Sequence, residues 1–337
     1  MSDHFQTPRQ QPSGDLRPTA SFGVTQSIAP VAEVGEPTDL TLTYETGVEV
    51  KARSQWAYAR RRFFRHRLAM ASLVVLLGFG VVAIFAEQLA PYAYDELDLA
   101  YTNQAPTTNA THWFGTDQLG RDYLSRVIFG VQTSLWVALL VALLSTAIGT
   151  AIGAIAGYFG GWMDNLLMRT TDLVLTVPGL AVLLVAAAYW GGGDPLRVAV
   201  ILALLFWTGI ARIVRGVFLS LREKEYVEAA KASGSGDTRI IIRHMIPNTL
   251  GPIIVNTTLV VAAAILVEAA LSFLGFGVQP PIPALGKLIA DGQSSGLQLW
   301  WLVTFPGLTI VAIALAVNFV GDGLRDALDP TQQRVRA

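Results

Sequence analysis

Cysteine is absent from this chain of 337 residues, and charged residues are scarce. Without cysteine the chain can form no disulfide, no thiolate nucleophile and no cysteine-ligated metal site. Asp, Glu, Lys and Arg make up 15% of the residues, whereas about 25% is usual in soluble globular proteins. A formal net charge of −1 gives no reason to expect a nucleic-acid partner. So little charge cannot cover a particle of this size in water, and lipid is expected to solvate part of its surface.

Apolar residues reach 52% of the chain and are concentrated in long runs. The core of a bilayer is about 30 Å thick and is spanned by roughly 20 apolar residues in a helix. Runs of this kind predict an all-α membrane protein whose six transmembrane helices cover residues 68–86, 135–155, 173–190, 198–214, 252–276 and 300–320. Pro178 and Pro306 should kink or break the third and the sixth, because proline lacks a backbone N–H.

The distribution of Lys and Arg orients these helices. Most of the basic residues lie before the first run, between the fourth and fifth runs, or after the sixth. The segments on the opposite side hold only Arg121, Arg126, Arg197 and Lys287. Because basic residues collect on the cytoplasmic side of a membrane, both termini are predicted to be cytoplasmic.

Composition divides the chain into four regions. Residues 1–55 are rich in Pro, Gly, Ser and Thr without apolar periodicity, and they predict a disordered cytoplasmic N-terminal tail. Residues 56–130 hold the first transmembrane helix and a long outer loop. Residues 131–330 form a core transmembrane domain that includes a cytoplasmic loop at 215–250, and residues 331–337 form a C-terminal tail.

Glu268, Asn256 and Asn318 place polar side chains inside predicted transmembrane helices. A carboxylate at such a depth is costly, and it normally faces the interior of a bundle or a wet cavity, with a partner. Two interpretations stay open for these residues. They could line a translocation path, or they could form structural bonds between helices, for which Asn318 could reach Glu268.

Gly149, Gly153 and Gly157 recur every four residues in the second apolar run. Without side chains at these positions two helix backbones can approach closely. The stripe therefore predicts close helix packing within the chain or, alternatively, a seam with another subunit.

The cytoplasmic loop predicts two helices joined by a tight turn. Its first half uses good helix formers, Gly-Ser-Gly at 234–236 interrupts it, and Asp237 is placed to cap a second helix. The second helix carries an apolar stripe, and Pro247 should end it. An amphipathic helix lying on the membrane surface is the alternative interpretation.

The same loop carries a recognisable signature. Glu228-Ala229-Ala230, Gly234 and Ile246-Pro247 resemble, in order and spacing, the EAA motif of permease subunits in bacterial ABC importers. His244 and Ile246 stand where that motif has Ile and Leu, and this variant resembles the peptide-transport branch. Further stretches are similar to the C-type permease of dipeptide, oligopeptide and nickel importers: HWFGTDQLGRD at 112–122, GYFGGW at 157–162, LSFLGFGVQPP at 271–281 and GDGLRDALDP at 321–330.

The resemblance implies a type I ABC importer permease fold in the cytoplasmic membrane of a bacterium. The loop would couple the permease to an ATPase through Glu228, Ala229, Ala230, Gly234, His244 and Pro247. The implied partners are a homologous B-type permease, two ATP-binding subunits and an extracytoplasmic peptide-binding protein. Candidate contacts for the binding protein are Asp117, Arg121 and Asp122.

No catalytic residue, metal site or cofactor is expected in this chain. It lacks a Gly-x-x-x-x-Gly-Lys-Ser/Thr phosphate loop, so ATP and Mg²⁺ would bind the partner subunits. The four histidines have no metal-ligand spacing, and His112, beside Trp113, predicts a structural role.

Peptide import by alternating access is the function that the resemblance implies. An importer of nickel or of another small solute in the same family is an alternative, and a secondary carrier is a more distant one. A carrier is expected to show inverted repeats and several intramembrane charges, and no clear repeat is visible here. A membrane-anchored scaffold would explain the apolar runs but not the large cytoplasmic loop.

Overall fold

The computed structural model describes residues 55–106, 111–190 and 193–328. Within these ranges the regular structure is helical, with two isolated β-bridges and no β-strand, so the all-α fold class is confirmed for them. Apart from Gln55, the predicted N-terminal tail lies outside the described residues, as does the tail at 331–337. The division into four regions stays a prediction.

Twelve α-helices make up most of the described chain. In chain order they are α1 (Gln55–Arg65), α2 (Arg67–Ile84), α3 (Ala86–Leu89), α4 (Tyr123–Phe159), α5 (Gly161–Thr176), α6 (Gly179–Trp190), α7 (Pro195–Arg222), α8 (Glu225–Ala232), α9 (Asp237–Ile240), α10 (Ile246–Phe273), α11 (Leu285–Ser294) and α12 (Trp301–Leu328). Short 3₁₀ turns lie at Leu99–Tyr101 and Leu297–Leu299, and a π-helical turn lies at Ile241–Met245.

Among the described residues, five helical stretches are long and apolar enough to cross a membrane. They are α2, α4, α7, the continuous stretch Asp237–Phe273 that includes α10, and α12. The pair α5 and α6 meets the same conditions but is bent by 86°, so the number is six only if this pair forms one span. α4 has 37 residues, or about 55 Å at 1.5 Å per residue, so it extends well past the predicted apolar run.

The break between α5 and α6 follows from Pro178. α5 ends at Thr176, Val177 is extended with φ −83° and ψ 136°, and α6 begins at Gly179. A proline pushes the residue before it out of the helical region and cannot itself donate an N–H. The break predicted at this proline is confirmed, and it divides the predicted span at 173–190 into the end of α5 and α6.

Pro306 has the opposite outcome, because another helix satisfies the carbonyl that it leaves without a donor. α12 runs unbroken through Pro306, so the break that the sequence predicts as one option does not occur there. A proline at this position cannot donate to the carbonyl of Leu302, four residues earlier. The Tyr123 hydroxyl at the start of α4 donates to that carbonyl instead, with an O···O distance of 2.5 Å. The carbonyl keeps a partner, and the helix continues.

α4 and α7 pack closely along the glycine stripe. A Cβ added at Gly149 or at Gly153 would lie within 3.0 Å of a backbone carbonyl oxygen of α7, and one added at Gly157 would lie equally close to Phe218. No larger side chain fits without a shift, so the two backbones are in contact. The stripe packs within this chain, and the alternative of a seam between subunits is wrong.

The other helices surround this pair. α10, α11 and α12 complete the main apolar core with α4 and α7, and α2 lies against α12, where Gly323 leaves room for Ala69. Only 11% of α2 is buried within the chain, which leaves most of its surface for lipid or for another protein. A second, smaller apolar cluster joins the ends of α4 and α7 to the segment that includes α8 and α9.

We expect the substitution Gly153→Ala to destabilise the protein by roughly 1–3 kcal/mol, because the added methyl group overpacks the contact with Ala211. The measurement is the thermal unfolding midpoint of the purified protein in detergent. Gly209→Ala in α7 is the matched control, since a Cβ there meets nothing within 4 Å and alanine favours a helix. Equal midpoints for the two variants would contradict the backbone contact.

Candidate functional site

The loop at 223–245, between α7 and α10, is a compact unit whose turn requires glycine. α8 ends at Ala232, and Gly234 follows with φ +75°, in the left-handed region that L side chains rarely adopt. The Gly234 N–H donates to the Lys231 carbonyl (2.9 Å), and the Ser235 N–H donates to the Ala230 carbonyl (3.1 Å). These two bonds satisfy the last carbonyls of α8. The predicted order of helix, glycine turn and helix is confirmed.

The second half of the loop differs from the prediction at both of its ends. Gly236, not Asp237, occupies the N-cap of α9, and it makes no side-chain cap bond. Pro247 lies in the first turn of α10 rather than at the end of a helix, and the helical stretch continues from Asp237 through the π-helical turn to Phe273. The α-helical bonding of α10 begins only after the π-helical turn, so Pro247 lies in its first turn, where no internal N–H donor is needed. Helical turns without a break in the chain join the loop to α10.

Apolar side chains hold the same loop against the ends of α4 and α7. Val227, Ile240 and Met245 are fully buried, and they pack with Tyr158 of α4 and Phe218 of α7. Burying one large apolar side chain contributes about 1.5–3 kcal/mol. The loop is therefore a folded extension of the bundle that packs on the ends of α4 and α7.

The predicted coupling residues lie mostly on the open side of the loop. Glu228, Ala229, Gly234 and Pro247 are exposed, and Ala230 and His244 are half-buried. No atom lies within 4 Å of the place where a Gly234 side chain would be, so this surface can receive a partner. Partial burial raises the pKa of the nearby Tyr226 above its ordinary value, so its hydroxyl stays protonated at neutral pH. Contact with an ATPase through these residues stays a prediction.

Glu268 is fully buried in the bundle, where it joins three segments. The Ser134 hydroxyl of α4 donates to its carboxylate (2.9 Å), and the Ser272 hydroxyl of α10 donates to the other oxygen (2.7 Å). The Ser272 oxygen in turn accepts the backbone N–H of Val278 (3.2 Å). Glu268 thereby links α4, α10 and the segment that follows α10.

Asn318 does not bond to Glu268, so that predicted pairing is wrong. The side-chain amide of Asn318 donates to the Ala314 carbonyl (3.0 Å), and that of Asn256 donates to the Pro252 carbonyl (2.8 Å). Each of these asparagines is half-buried and bonds its own helix. The hydrogen bonds of the described residues therefore do not unite the three predicted path residues in one site, and their role in translocation stays a prediction.

Asp117, in the segment between α3 and α4, is the centre of a buried ion-pair cluster. Its carboxylate accepts hydrogen bonds from Arg121 Nε (2.7 Å) and from Arg126 Nη1 (2.6 Å). From the sequence alone, Arg126 counts only among the basic residues of the predicted outer segments. In the structure its side chain is buried, at 4% exposure. A buried arginine needs a carboxylate partner, so Arg126 and Asp117 depend on each other.

Asp122 belongs to a second cluster. It caps α4 by accepting the Ser125 N–H (2.7 Å), and its carboxylate lies 2.9 Å from His112 Nδ1. The rings of Tyr92 and Tyr101 lie 5.0 and 5.7 Å from the His112 ring. These contacts give His112 the structural role that the sequence predicts, and the described residues include no group of three or more His, Asp or Glu side chains arranged to hold a metal ion.

Burial of the two acids changes the docking prediction. Asp117 and Asp122 are 5% and 3% exposed, so their carboxylates are not available for direct contact with another protein. The Arg121 side chain keeps 20% exposure. Of the three predicted docking residues, Arg121 alone can still reach a partner.

Two ion pairs that the sequence does not predict fasten α5 to α7. Asp164 accepts two bonds from Arg215, at 2.5 and 2.6 Å, and Asp172 accepts one from Arg212, at 2.5 Å. From the sequence alone, these two arginines indicate only the orientation of the helices. Asp164 and Asp172, eight residues apart in α5, were the signal from which partners could have been predicted. Few α5 side chains are buried, and of the two pairs the one between Arg215 and Asp164 is the less exposed.

Comparison with known proteins places these features in a family. The family described as binding-protein-dependent transport system inner membrane component matches residues 149–334, more than half of the chain. The chain belongs to this permease family. A second match, over residues 54–106, is to the N-terminal transmembrane domain of oligopeptide transport permease C. The first match includes the whole loop at 223–245, and the second includes α1, α2 and α3.

Several relatives match the permease over most of its length. The oligopeptide transport system permease protein of Escherichia coli K12 is 44% identical over 283 residues, which are 84% of this chain and 93% of the relative. The protein of the same name from Mycobacterium bovis is 44% identical over 277 residues, or 82% and 94%. The dipeptide transport system permease protein of Alkalihalophilus pseudofirmus is 40% identical over 278 residues, or 82% and 90%.

Family membership confirms the resemblance drawn from the motifs. The permease is an ABC-type, multi-pass membrane protein similar to the oligopeptide and dipeptide permeases. Like its relatives, which are named as transport permeases, it is a transport subunit and not itself an enzyme.

We expect Glu268→Ala to destabilise the permease by about 2–4 kcal/mol, because it leaves a cavity and removes the acceptor of two buried hydroxyl groups. The thermal unfolding midpoint in detergent measures the effect. Asn318→Ala is the control, since its amide bonds only its own helix, and it should cost less than about 1 kcal/mol. A loss as large for Asn318→Ala as for Glu268→Ala would contradict the linking role of Glu268.

Proposed function

We propose that this permease is a transmembrane subunit of an ATP-driven importer that carries dipeptides or oligopeptides across the cytoplasmic membrane of a bacterium. The observation that carries the proposal is the folded loop at 223–245, which has an open side and is attached to α4, α7 and α10 on its other side. A passive pore needs no such element. The names of the relatives, which describe oligopeptide and dipeptide transport systems, support peptides as the cargo.

The proposed complex contains a homologous B-type permease, two ATP-binding subunits and an extracytoplasmic peptide-binding protein. The ATP-binding subunits hold the ATP and Mg²⁺. With the bent pair α5 and α6 counted as one span, the permease crosses the membrane six times and both termini are cytoplasmic. The loop at 223–245 and the arginine-rich α1 then lie in the cytoplasm, where basic residues are expected, and the clusters of Asp117 and Asp122 lie outside.

The attachment of the loop supports alternating access. Binding of ATP closes the pair of ATPases and moves the loop, which carries α10 with it through continuous helix and presses on the ends of α4 and α7, where the buried apolar cluster lies. The bundle changes from inward-facing to outward-facing, and hydrolysis resets it. Each partner shifts this equilibrium only by its differential affinity for the two states.

On the outer side the permease offers the binding protein a preformed surface. The buried clusters of Asp117 and Asp122 hold the outer loop in shape, and the Gln118 amide donates to the Ser295 hydroxyl beyond α11 (2.7 Å). Arg121 is the direct contact in this proposal, and the two acids support it. The peptide passes between the two permeases, where the half-buried Asn256 and Asn318 can line its path. Glu268 does not line the path in this proposal, because it is enclosed by α4 and α10.

Substitution of Gly234 by serine should uncouple ATP hydrolysis from transport. A side chain at φ +75° costs about 1–2 kcal/mol, so the turn between α8 and α9 relaxes. We expect ATPase co-purification and uptake of labelled di- and tetra-alanine into proteoliposomes to fall several-fold. Gly236→Ser is the matched control, because Gly236 has φ −67° and open space and serine is a good N-cap. If Gly234→Ser behaves like Gly236→Ser, the turn has no part in coupling.

Because the chain contains no cysteine, its topology can be tested with single cysteines. Thr238 in the loop and Thr102 in the outer segment are both exposed. A membrane-impermeant maleimide should label the Thr238→Cys variant only in inside-out vesicles and the Thr102→Cys variant only in right-side-out vesicles. Labelling of the Thr238→Cys variant from outside the cell would invert the topology and remove the loop from the ATPase.

A further inference from the structure

Tyr158 connects α4 to the loop at 223–245 by a directional bond. It lies in the last turn of α4, its side chain is almost fully buried, and its ring packs against Phe218 and the buried loop residues. Its hydroxyl donates to Asp237 Oδ1 at 2.6 Å, across 79 positions of the sequence. The Lys231 ammonium lies 5.3 Å from the centre of the same ring. Both halves of the loop, α8 and α9, therefore contact this one side chain.

Burial explains the hydrogen bond only on the side of Tyr158, whose hydroxyl, on a buried side chain, needs a partner, because Asp237 is exposed. Water could satisfy its carboxylate, so the bond to Tyr158 is not needed to compensate a buried charge. Apolar contacts such as those of Val227 and Ile240 are non-directional and oppose separation more than sliding. A hydrogen bond between a hydroxyl and a carboxylate depends on distance and angle and is stronger than one between neutral groups. It restricts the sliding that the apolar cluster permits.

We infer that Tyr158 is a positioning residue which, through its hydrogen bond to Asp237, holds the loop in one register on α4, so that movement of the loop by the ATPase reaches α4 and α7 together. The inference rests on the proposed function. α10 follows the loop without this bond, because continuous helix joins them. α7 reaches α8 of the loop through Glu223 and Lys224, which belong to no helix, so continuous helix does not join the two. α4 is not adjacent to the loop in the chain, and the glycine contact makes α7 move with α4. Without the bond, the loop would move α10 and slip against α4.

The test uses the complete importer with its binding protein in proteoliposomes, and it compares uptake of labelled di- and tetra-alanine with ATP hydrolysis. Tyr158→Phe removes only the hydroxyl and keeps the ring for the apolar cluster. Asp237→Ala removes the acceptor, whereas Asp237→Asn keeps an acceptor oxygen. We expect Tyr158→Phe and Asp237→Ala each to lower uptake per ATP about three- to tenfold, the range for the net effect of one typical intramolecular hydrogen bond. Asp237→Asn should restore most of the coupling, and the double variant Tyr158→Phe/Asp237→Ala should be no worse than either single variant.

The outcomes separate the role of Tyr158 from assembly and from the proposed function. Tyr189→Phe in α6, at a tyrosine that is 87% exposed, is the control and should match the wild-type complex. If Tyr158→Phe keeps the wild-type ratio of uptake to hydrolysis, or lowers both in proportion to the amount of complex recovered, the inference is overturned. If the wild-type complex itself takes up neither peptide, the proposed function fails, and the inference that rests on it fails as well.

Discussion

The backbone contact between α4 and α7 is the constraint on which the rest of the permease depends. Between helices in lipid there is no hydrophobic driving force, so close van der Waals packing has to hold them together. Gly149, Gly153 and Gly157 permit that packing over two turns of helix. The same two helices end at the apolar cluster that anchors the loop at 223–245. The glycine contact therefore fixes, relative to each other, the two helix ends on which the loop packs.

Two polar groups inside the bundle have a hydrogen-bond partner on a different helix. Tyr123 of α4 satisfies the carbonyl that Pro306 leaves without a donor in α12, and Ser134 of α4 bonds Glu268 of α10. An unsatisfied polar group in an apolar interior is costly. Each such bond thus fixes two helices relative to each other, and α4 is a partner in both of these bonds.

The loop at 223–245 and the segment between α3 and α4 show what can be predicted of the site. Gly234 and the alanine-rich α8 are local signals, and the structure has the turn where they predict it. The partner of Asp237 is a tyrosine 79 positions earlier, and no local pattern identifies it. Asp117 and Asp122 are close in sequence and suggest one patch, yet they belong to separate buried clusters because the chain reverses between Thr116 and Asp122.

By itself the sequence determined the all-α class, the apolar runs, the turn at Gly234 and the family, because each of these depends on residues close together in the chain. The tertiary structure alone decided which prolines break a helix and which charges are buried. Pro178 and Pro306 carry the same local signal, but only Pro306 leaves a carbonyl that receives a hydrogen bond from Tyr123. A missing hydrogen bond or a buried charge destabilises the fold unless another group bonds to the unpaired atom. That group often lies on a distant segment of the chain, and only the packed structure brings it into contact.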